Sequence, residues 1–254
     1  MRYYLTASSG KGHGIHSPFV FEFIEKVLND SHTYDCYAHI EKERKALLAD
    51  ITVIEVEDFG AGSAVIKNNL RMVRDIAASS LKSKKFSQLL FRMVQYYKPT
   101  TILELGTSFG ITTSYLASGN AQATVYTCEG AGNIAAIAQQ TFDHLHINNI
   151  SLQQGDFSLT LPPVLAQLQK VDLAFIDGNH RKEPTLHYFL QLLPHATNDT
   201  ILVFDDIHWS AGMEAAWAQI QQHPQVTLTI DLFFIGIVIL NRNIKIPQHF
   251  TLRF

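Results

Sequence analysis

Two groups of residues in this chain have the types and spacing to do chemistry. The first is Glu104-Leu105-Gly106-Thr107-Ser108-Phe109-Gly110, which follows the apolar run Thr101-Ile102-Leu103. A strand that ends in an acid and then a glycine turn that opens a helix can hold a ligand. Gly106 can adopt backbone conformations closed to other residues and lets a ligand approach closely. Gly110 allows tight packing where the helix begins, and the free N–H groups there favour an anion such as a carboxylate. Thr107 and Ser108 line the same turn. Glu104, one turn away, can anchor a cationic amine directly or through water. Glu129 ends the next apolar run, where a carboxylate can accept both hydroxyls of a ribose; the plainer reading is a surface acid before Gly130-Ala131-Gly132. Asp156 and Phe157 follow a third run. Asp156 could accept from an adenine amino group and Phe157 could pack on the ring, or Asp156 only caps a helix. A dinucleotide site expects G-x-G-x-x-G. Here the spacing is G-x-x-x-G, with Ser108 where the central glycine would let a pyrophosphate approach. An ordinary strand–helix turn without ligand is the remaining alternative.

The second group is acidic. Asp177 ends the run Leu173-Ala174-Phe175-Ile176, and Asp205-Asp206 end Ile201-Leu202-Val203-Phe204. If those strands are adjacent, three carboxylates converge, and they repel one another unless a cation or protons compensate. Hard divalent cations take such oxygen ligands. The alternative is that one of the pair caps the next helix and Asp177 fixes its loop. His180, three residues after Asp177, could take a proton from an acceptor group, or it only hydrogen-bonds its loop. His208 and Trp209 could line an acceptor pocket, although Trp209 suits a core equally well. His13 and His16 read as a solvated loop, and Asp58-Phe59-Gly60-Ala61-Gly62-Ser63 as a turn.

The elements that must position these groups alternate. The spacing predicts a helix over 86–97, ended by Pro99, then strand 100–105, helix 110–118, strand 123–128, helix 131–146, strand 150–154 and helix 158–168. Strand 171–176, helix 181–193, strand 200–205, helix 210–222 and strands 226–231 and 233–240 follow. Such alternation means right-handed crossovers and a mostly parallel sheet with an antiparallel pair at one end. Residues 1–80 read differently, as a mostly helical N-terminal appendage with helices after Ser17-Pro18, over 37–48 and over 70–78, and a short strand over 51–57; residues 81–254 form the core. The 254 residues suit one large domain with such an appendage. The net charge of −3 offers no basic field for nucleic acid, and the two cysteines make neither a disulfide framework nor a zinc spacing. The longest apolar run, 232–240, is about half of what a membrane helix needs, and the first residues lack a signal-peptide core. A cytoplasmic protein is the expectation.

Together, Glu104–Gly110, Glu129, Gly155-Asp156, Ile176-Asp177-Gly178-Asn179-His180 and Phe204-Asp205-Asp206 resemble the class I S-adenosylmethionine-dependent methyltransferases, and among them the small catechol/caffeoyl-CoA-type O-methyltransferases. The resemblance covers about residues 82–240. It implies an α/β, doubly wound, Rossmann-like seven-stranded sheet of order 3-2-1-4-5-7-6 with strand 7 antiparallel. It implies S-adenosylmethionine held by Glu104, Gly106, Thr107, Ser108, Gly110, Glu129, Asp156, Phe157 and Asp177. It also implies Mg²⁺ or Ca²⁺ at Asp177, Asp205 and Asp206, and catalysis by Asp177 with His180, where the family carries a lysine base. The implied acceptor is a small hydroxylated or phenolic molecule. A metal-independent N-methyltransferase and a non-catalytic cofactor-binding protein of the same fold are the alternatives, and the appendage could serve a homodimer.

Overall fold

The computed structural model describes residues 7, 8, 10, 16–56 and 69–254. The Asp58–Ser63 turn and His13 lie outside the described residues. In chain order the elements are α1 (Pro18–Phe23, running on as a π-helical turn to Leu28), α2 (Asp35–Ala49), β1 (Val53–Glu55), β2 (Leu70–Met72), α3 (Val73–Ser80) and α4 (Lys84–Tyr97). Then come β3 (Thr101–Leu105), α5 (Ile111–Gly119), β4 (Thr124–Glu129), α6 (Gly132–His144), β5 (Ile150–Gln154) and α7 (Phe157–Gln167). The rest is β6 (Val171–Ile176), α8 (Lys182–Leu192), β7 (Ala196–Asp205), α9 (Ala211–Gln221), β8 (Leu228–Asp231), β9 (Ile235–Ile239) and β10 (Gln248–Thr251). The architecture is α/β with mostly parallel strand pairing, and the chain divides into two compact units: His32–Ala166, and Met1–Ser31 with Gln167–Phe254.

In the His32–Ala166 unit, β5, β4 and β3 pair in parallel in that order. α4 forms where Phe86, Leu89, Leu90, Met93 and Val94 recur at helical spacing and are buried. It stops at Lys98, whose left-handed backbone (φ 52°) precedes Pro99. Tyr37, Ile40 and Leu47 of α2 and Val73, Ile76 and Ala77 of α3 share one core with Phe91, Phe109, Ile111 and Tyr115. Phe109 belongs to the glycine turn, so the helices before residue 80 pack onto the segment that carries the first chemical group. Leu70–Met72 is a strand where helix was expected. It pairs antiparallel with Val53–Glu55, and helical structure begins only at Val73.

In the other unit β6 and β7 are parallel, β7 and β9 antiparallel, β8 and β9 antiparallel, and β10 parallel to β8. β7 starts at Ala196, earlier than the apolar run. A register shift opposite Val171–Leu173 absorbs the polar residues 198–200, and Thr200 Oγ1 donates to the Val171 carbonyl (2.7 Å). β10 is an additional strand. Its sequence, Gln248-His249-Phe250-Thr251, has no apolar alternation, and its pairing is reinforced by His249 Nδ1 against Thr229 Oγ1 (2.8 Å). Trp217 is core, packed where Gly236 leaves no room for a Cβ. No helix among the described residues is long and apolar enough to cross a membrane.

Candidate functional site

β3 and β4 run in register, Glu104 beside Thr127 and Leu105 beside Cys128. Beyond that pair the chain turns sharply. The N–H groups of Gly106 and Thr107 both donate to the Cys128 carbonyl (3.0 and 3.2 Å). Gly106 (φ 101°), Ser108 (φ 49°) and Gly110 (φ 79°) all take positive φ. At Gly110 a side chain is doubly excluded, by the backbone and because a Cβ would run into the Phe142 ring. Glu129 is pinned by this turn: its Oε2 accepts from the Ser108 N–H (2.9 Å) and its Oε1 from the Ala131 N–H (3.0 Å). Burial pushes the Glu129 carboxyl upward, while the N–H groups of Ala131, Ser108 and Gly130 pull it down. A carboxylate has about four acceptor sites, so these N–H groups leave capacity for a further donor. A rigid carboxylate with spare acceptor capacity fits a ligand hydroxyl.

Glu104 sits deeper, with no exposed surface. Its Oε2 accepts from Thr113 Oγ1 (2.5 Å) and Thr127 Oγ1 (2.6 Å), and its Oε1 is buried without a hydrogen bond. Burial raises its carboxyl to about 7; the two threonine hydroxyls oppose the rise and the charge of Glu129 adds to it. The orphaned oxygen is the observation of this structure that fits a cationic ligand nearby. Thr113 and Thr127 escaped the sequence reading. The available signal was a polar residue inside the apolar strand Val125-Tyr126-Thr127-Cys128. Asp156 caps α7, with Oδ1 accepting from the Ser158 N–H (2.7 Å). Gly155 before it donates its N–H to the Glu129 carbonyl (2.8 Å), and Phe157 is half-buried as the first residue of α7. Two contacts tie the segment before residue 81 to this cradle: Ser80 Oγ with Ser108 Oγ (2.9 Å), and Asn133 Nδ2 donating to the Glu55 carbonyl (2.8 Å).

The second group lies in the other unit. Asp177, His180 and Asp205 each present a ligand atom such that all three lie within 4.8 Å of one another. His180 Nε2 is 3.5 Å from Asp177 Oδ1, and Asp205 is 1% exposed. Asp206 is not in this group. Its backbone is left-handed (φ 51°), its N–H donates to the Phe234 carbonyl (2.6 Å), and its carbonyl accepts from Trp209 (2.9 Å). Two carboxylates and an imidazole at this spacing fit the donor set of a divalent cation. His208 lies between two acids, Nε2 2.8 Å from Asp231 Oδ2 and Nδ1 3.2 Å from Glu214 Oε1, and stacks on Phe233. The bond to Asp231 raises its pKa against the opposing effect of burial. Trp209 is 73% exposed, hence not core. His16 is exposed. A groove of about 520 Å³ lined by Ala196, Thr197, Pro224, Thr227, Leu240 and Arg242 opens at the opposite end of β7 from Asp205, roughly 20 Å along the strand once the register shift is counted.

Residues 103–207 match the family model of a methyltransferase domain. No curated protein matches the sequence. Among solved structures the fold is similar to an O-methyltransferase from Bacillus cereus in complex with S-adenosylhomocysteine (TM-score 0.59, 19% identity, 86% of this chain and 96% of that one). It is also similar to a methyltransferase from Podospora anserina bound to S-adenosylhomocysteine (TM-score 0.60, 15% identity, 90% and 99%). A third is an O-methyltransferase of tomaymycin synthesis from Streptomyces achromogenes, in complex with S-adenosylmethionine (TM-score 0.54, 17% identity, 64% and 82%). Residues 103–207 thus match a methyltransferase domain, and the chain shares its fold with these solved methyltransferases.

Proposed function

We propose that this chain transfers a methyl group from S-adenosylmethionine to the oxygen of a small hydroxylated or phenolic acceptor. The observation that carries the reading is Glu129. Its carboxylate is fixed by two backbone N–H groups at the tip of β4, beside a turn whose glycines permit close approach. S-adenosylmethionine supplies a methyl group activated by a sulfonium. In this reading Glu129 takes the ribose hydroxyls, the turn Gly106–Gly110 receives the methionine tail, and Asp156 with Phe157 borders the adenine. Asp177 contributes to both donor binding and catalysis.

His180 takes the acceptor proton, and Asp177 beside it orients the ring. General-base help of this kind is worth about 10²–10⁴-fold. A divalent cation would be held by Asp177 and Asp205, joined by Asp206 only if the 205–206 turn rearranges, and would supply positive charge to a deprotonated acceptor oxygen. The placement of Asp206 outside the cluster favours a second reading for this step, in which no metal is needed and His180 with Asp177 suffices. Trp209, exposed beside the acidic pair, suits a planar acceptor.

Titration calorimetry with S-adenosylhomocysteine tests the donor assignment; no heat at millimolar ligand rejects it. Turnover of a phenolic acceptor panel with and without chelator separates the two readings of the acidic cluster. Chelator-insensitive methylation rejects the metal. Turnover restricted to amines rejects oxygen as the nucleophile.

A further inference from the structure

Glu104 is the most deeply buried acid of the cradle, and its protonation state bears directly on its expected role as partner of a cationic amine. Two hydroxyls donate to the same oxygen, Oε2. A threonine hydroxyl has one proton. Thr127 spends its own on Glu104, so the 2.6 Å contact between Thr107 and Thr127 has Thr107 as donor. The hydrogen bonds therefore run in one direction, from Thr107 in the glycine turn through Thr127 to the carboxylate. Oε2 is arranged to receive a negative charge. Oε1 is buried with nothing to donate to it. An ionised Glu104 is half-compensated, and a positive charge placed near the turn completes the compensation.

We propose that ionisation of Glu104 is coupled to occupancy of the glycine turn by a cationic ligand, so that donor binding releases a proton from this side chain. The inference rests on the methyl-donor reading of the turn and deepens it. In the empty protein, Glu104 carries its proton for much of the time. When a ligand bearing an ammonium and a sulfonium enters, the carboxyl loses H⁺ to the buffer and remains as carboxylate in its threonine cage. No bond other than O–H is broken. The free acid titrates at about 7, so a modest field suffices to tip it. A unit charge several ångströms away in a partly buried site moves a titration by on the order of one pH unit. The other titratable groups that bear on it are both on β4. Glu129 opposes its ionisation, and the buried Cys128 thiol, raised to about 11, stays neutral.

The test is calorimetry on the whole chain at pH 7 in two buffers of different ionisation enthalpy, phosphate and Tris. The ligands are S-adenosylmethionine, S-adenosylhomocysteine and 5′-methylthioadenosine. With S-adenosylmethionine the heats should differ between buffers by an amount equal to release of about half a proton per site. With the uncharged 5′-methylthioadenosine they should agree. Glu104→Gln should bind and lose the buffer dependence. If neither S-adenosyl compound binds, the methyl-donor reading itself is wrong. If they bind with equal heats in both buffers, or if Glu104→Gln still releases the proton, the coupling is wrong and the donor reading stands. Should the variant fail to fold, the wild type decides alone: affinity for S-adenosylmethionine should rise roughly 5–10-fold from pH 5.5 to 8.5 and level off, and a flat profile overturns the proposal.

Discussion

Glu129 and Asp177 each end a parallel strand, yet the chain holds them in opposite ways. Glu129 has a backbone N–H on each oxygen, supplied by two different turns, so its position is set before any ligand arrives. Asp177 faces His180 at 3.5 Å, and a ligand atom of each of these and of Asp205 lies within 4.8 Å of the others. In the proposed reading the first arrangement binds and the second changes. Preorganised hydrogen bonds lower the cost of holding a ligand, whereas groups that pass a proton must shift their partners during the reaction. Left-handed backbone occurs in both regions, at Ser108 in the first and at Asn179 and Asp206 in the second.

The comparison breaks most visibly at His180. His180→Ala should lower turnover by about 10²–10⁴-fold and leave S-adenosylhomocysteine affinity within about threefold. A fall in affinity that matches the fall in rate would show that the two groups are not functionally separate. Next is Glu129→Ala, with the converse pattern. It removes the acceptor of two backbone N–H groups as well as the proposed ribose partner, so affinity for S-adenosylhomocysteine should drop about 100-fold or more, equal to roughly 3 kcal/mol. Calorimetry reads this directly, and unchanged affinity would dismiss the ribose assignment. Gly110→Ala is expected to rank third. Its Cβ meets the Phe142 ring on a backbone at φ 79°, and strain with overpacking should cost about 1–3 kcal/mol, read as a lower denaturation midpoint.

How much of this was legible in the sequence differs between the two groups for a physical reason. The glycine turn and Glu129 are local: strand, acid, glycine and helix follow one another within a few residues, and the chain order alone brings them near. The alternating elements were legible on the same ground, since each apolar run carries its own period. The acidic group depends on how two strand ends are finished, and there spacing misleads. Asp205 and Asp206 are adjacent in sequence, but Asp206 is itself left-handed and the group that forms is Asp177, His180 and Asp205. Glu104 was legible as an acid near the turn, but its threonine cage was not, because Thr113 and Thr127 come from a helix and a neighbouring strand. β2 and β10 were missed for a simpler reason. Three or four residues with little apolar alternation are strands only because a partner strand pairs with them.

The smallest expected effect lies at His208, which stands between the two plans. It is pinned like Glu129, by Asp231 and Glu214, yet it adjoins the acidic group. Its folded pKa is raised, chiefly by the hydrogen bond to Asp231. A histidine raised on folding contributes stability that is complete below its unfolded value of about 6.5 and is lost as pH climbs through the folded value. His208→Gln should therefore destabilise more at pH 6 than at pH 9. The site is partly exposed, so the pH-dependent part should stay under about 1 kcal/mol; loss of the Phe233 stacking adds a part that does not vary with pH. Glu104 acts with the same sign in a lower window, between its unfolded value near 4.5 and its folded value of about 7, but it is present in both proteins and cancels from the difference. Denaturant unfolding of wild type and His208→Gln at the two pH values measures this directly. A difference that grows toward pH 9 would mean that His208 is held neutral between its two carboxylates.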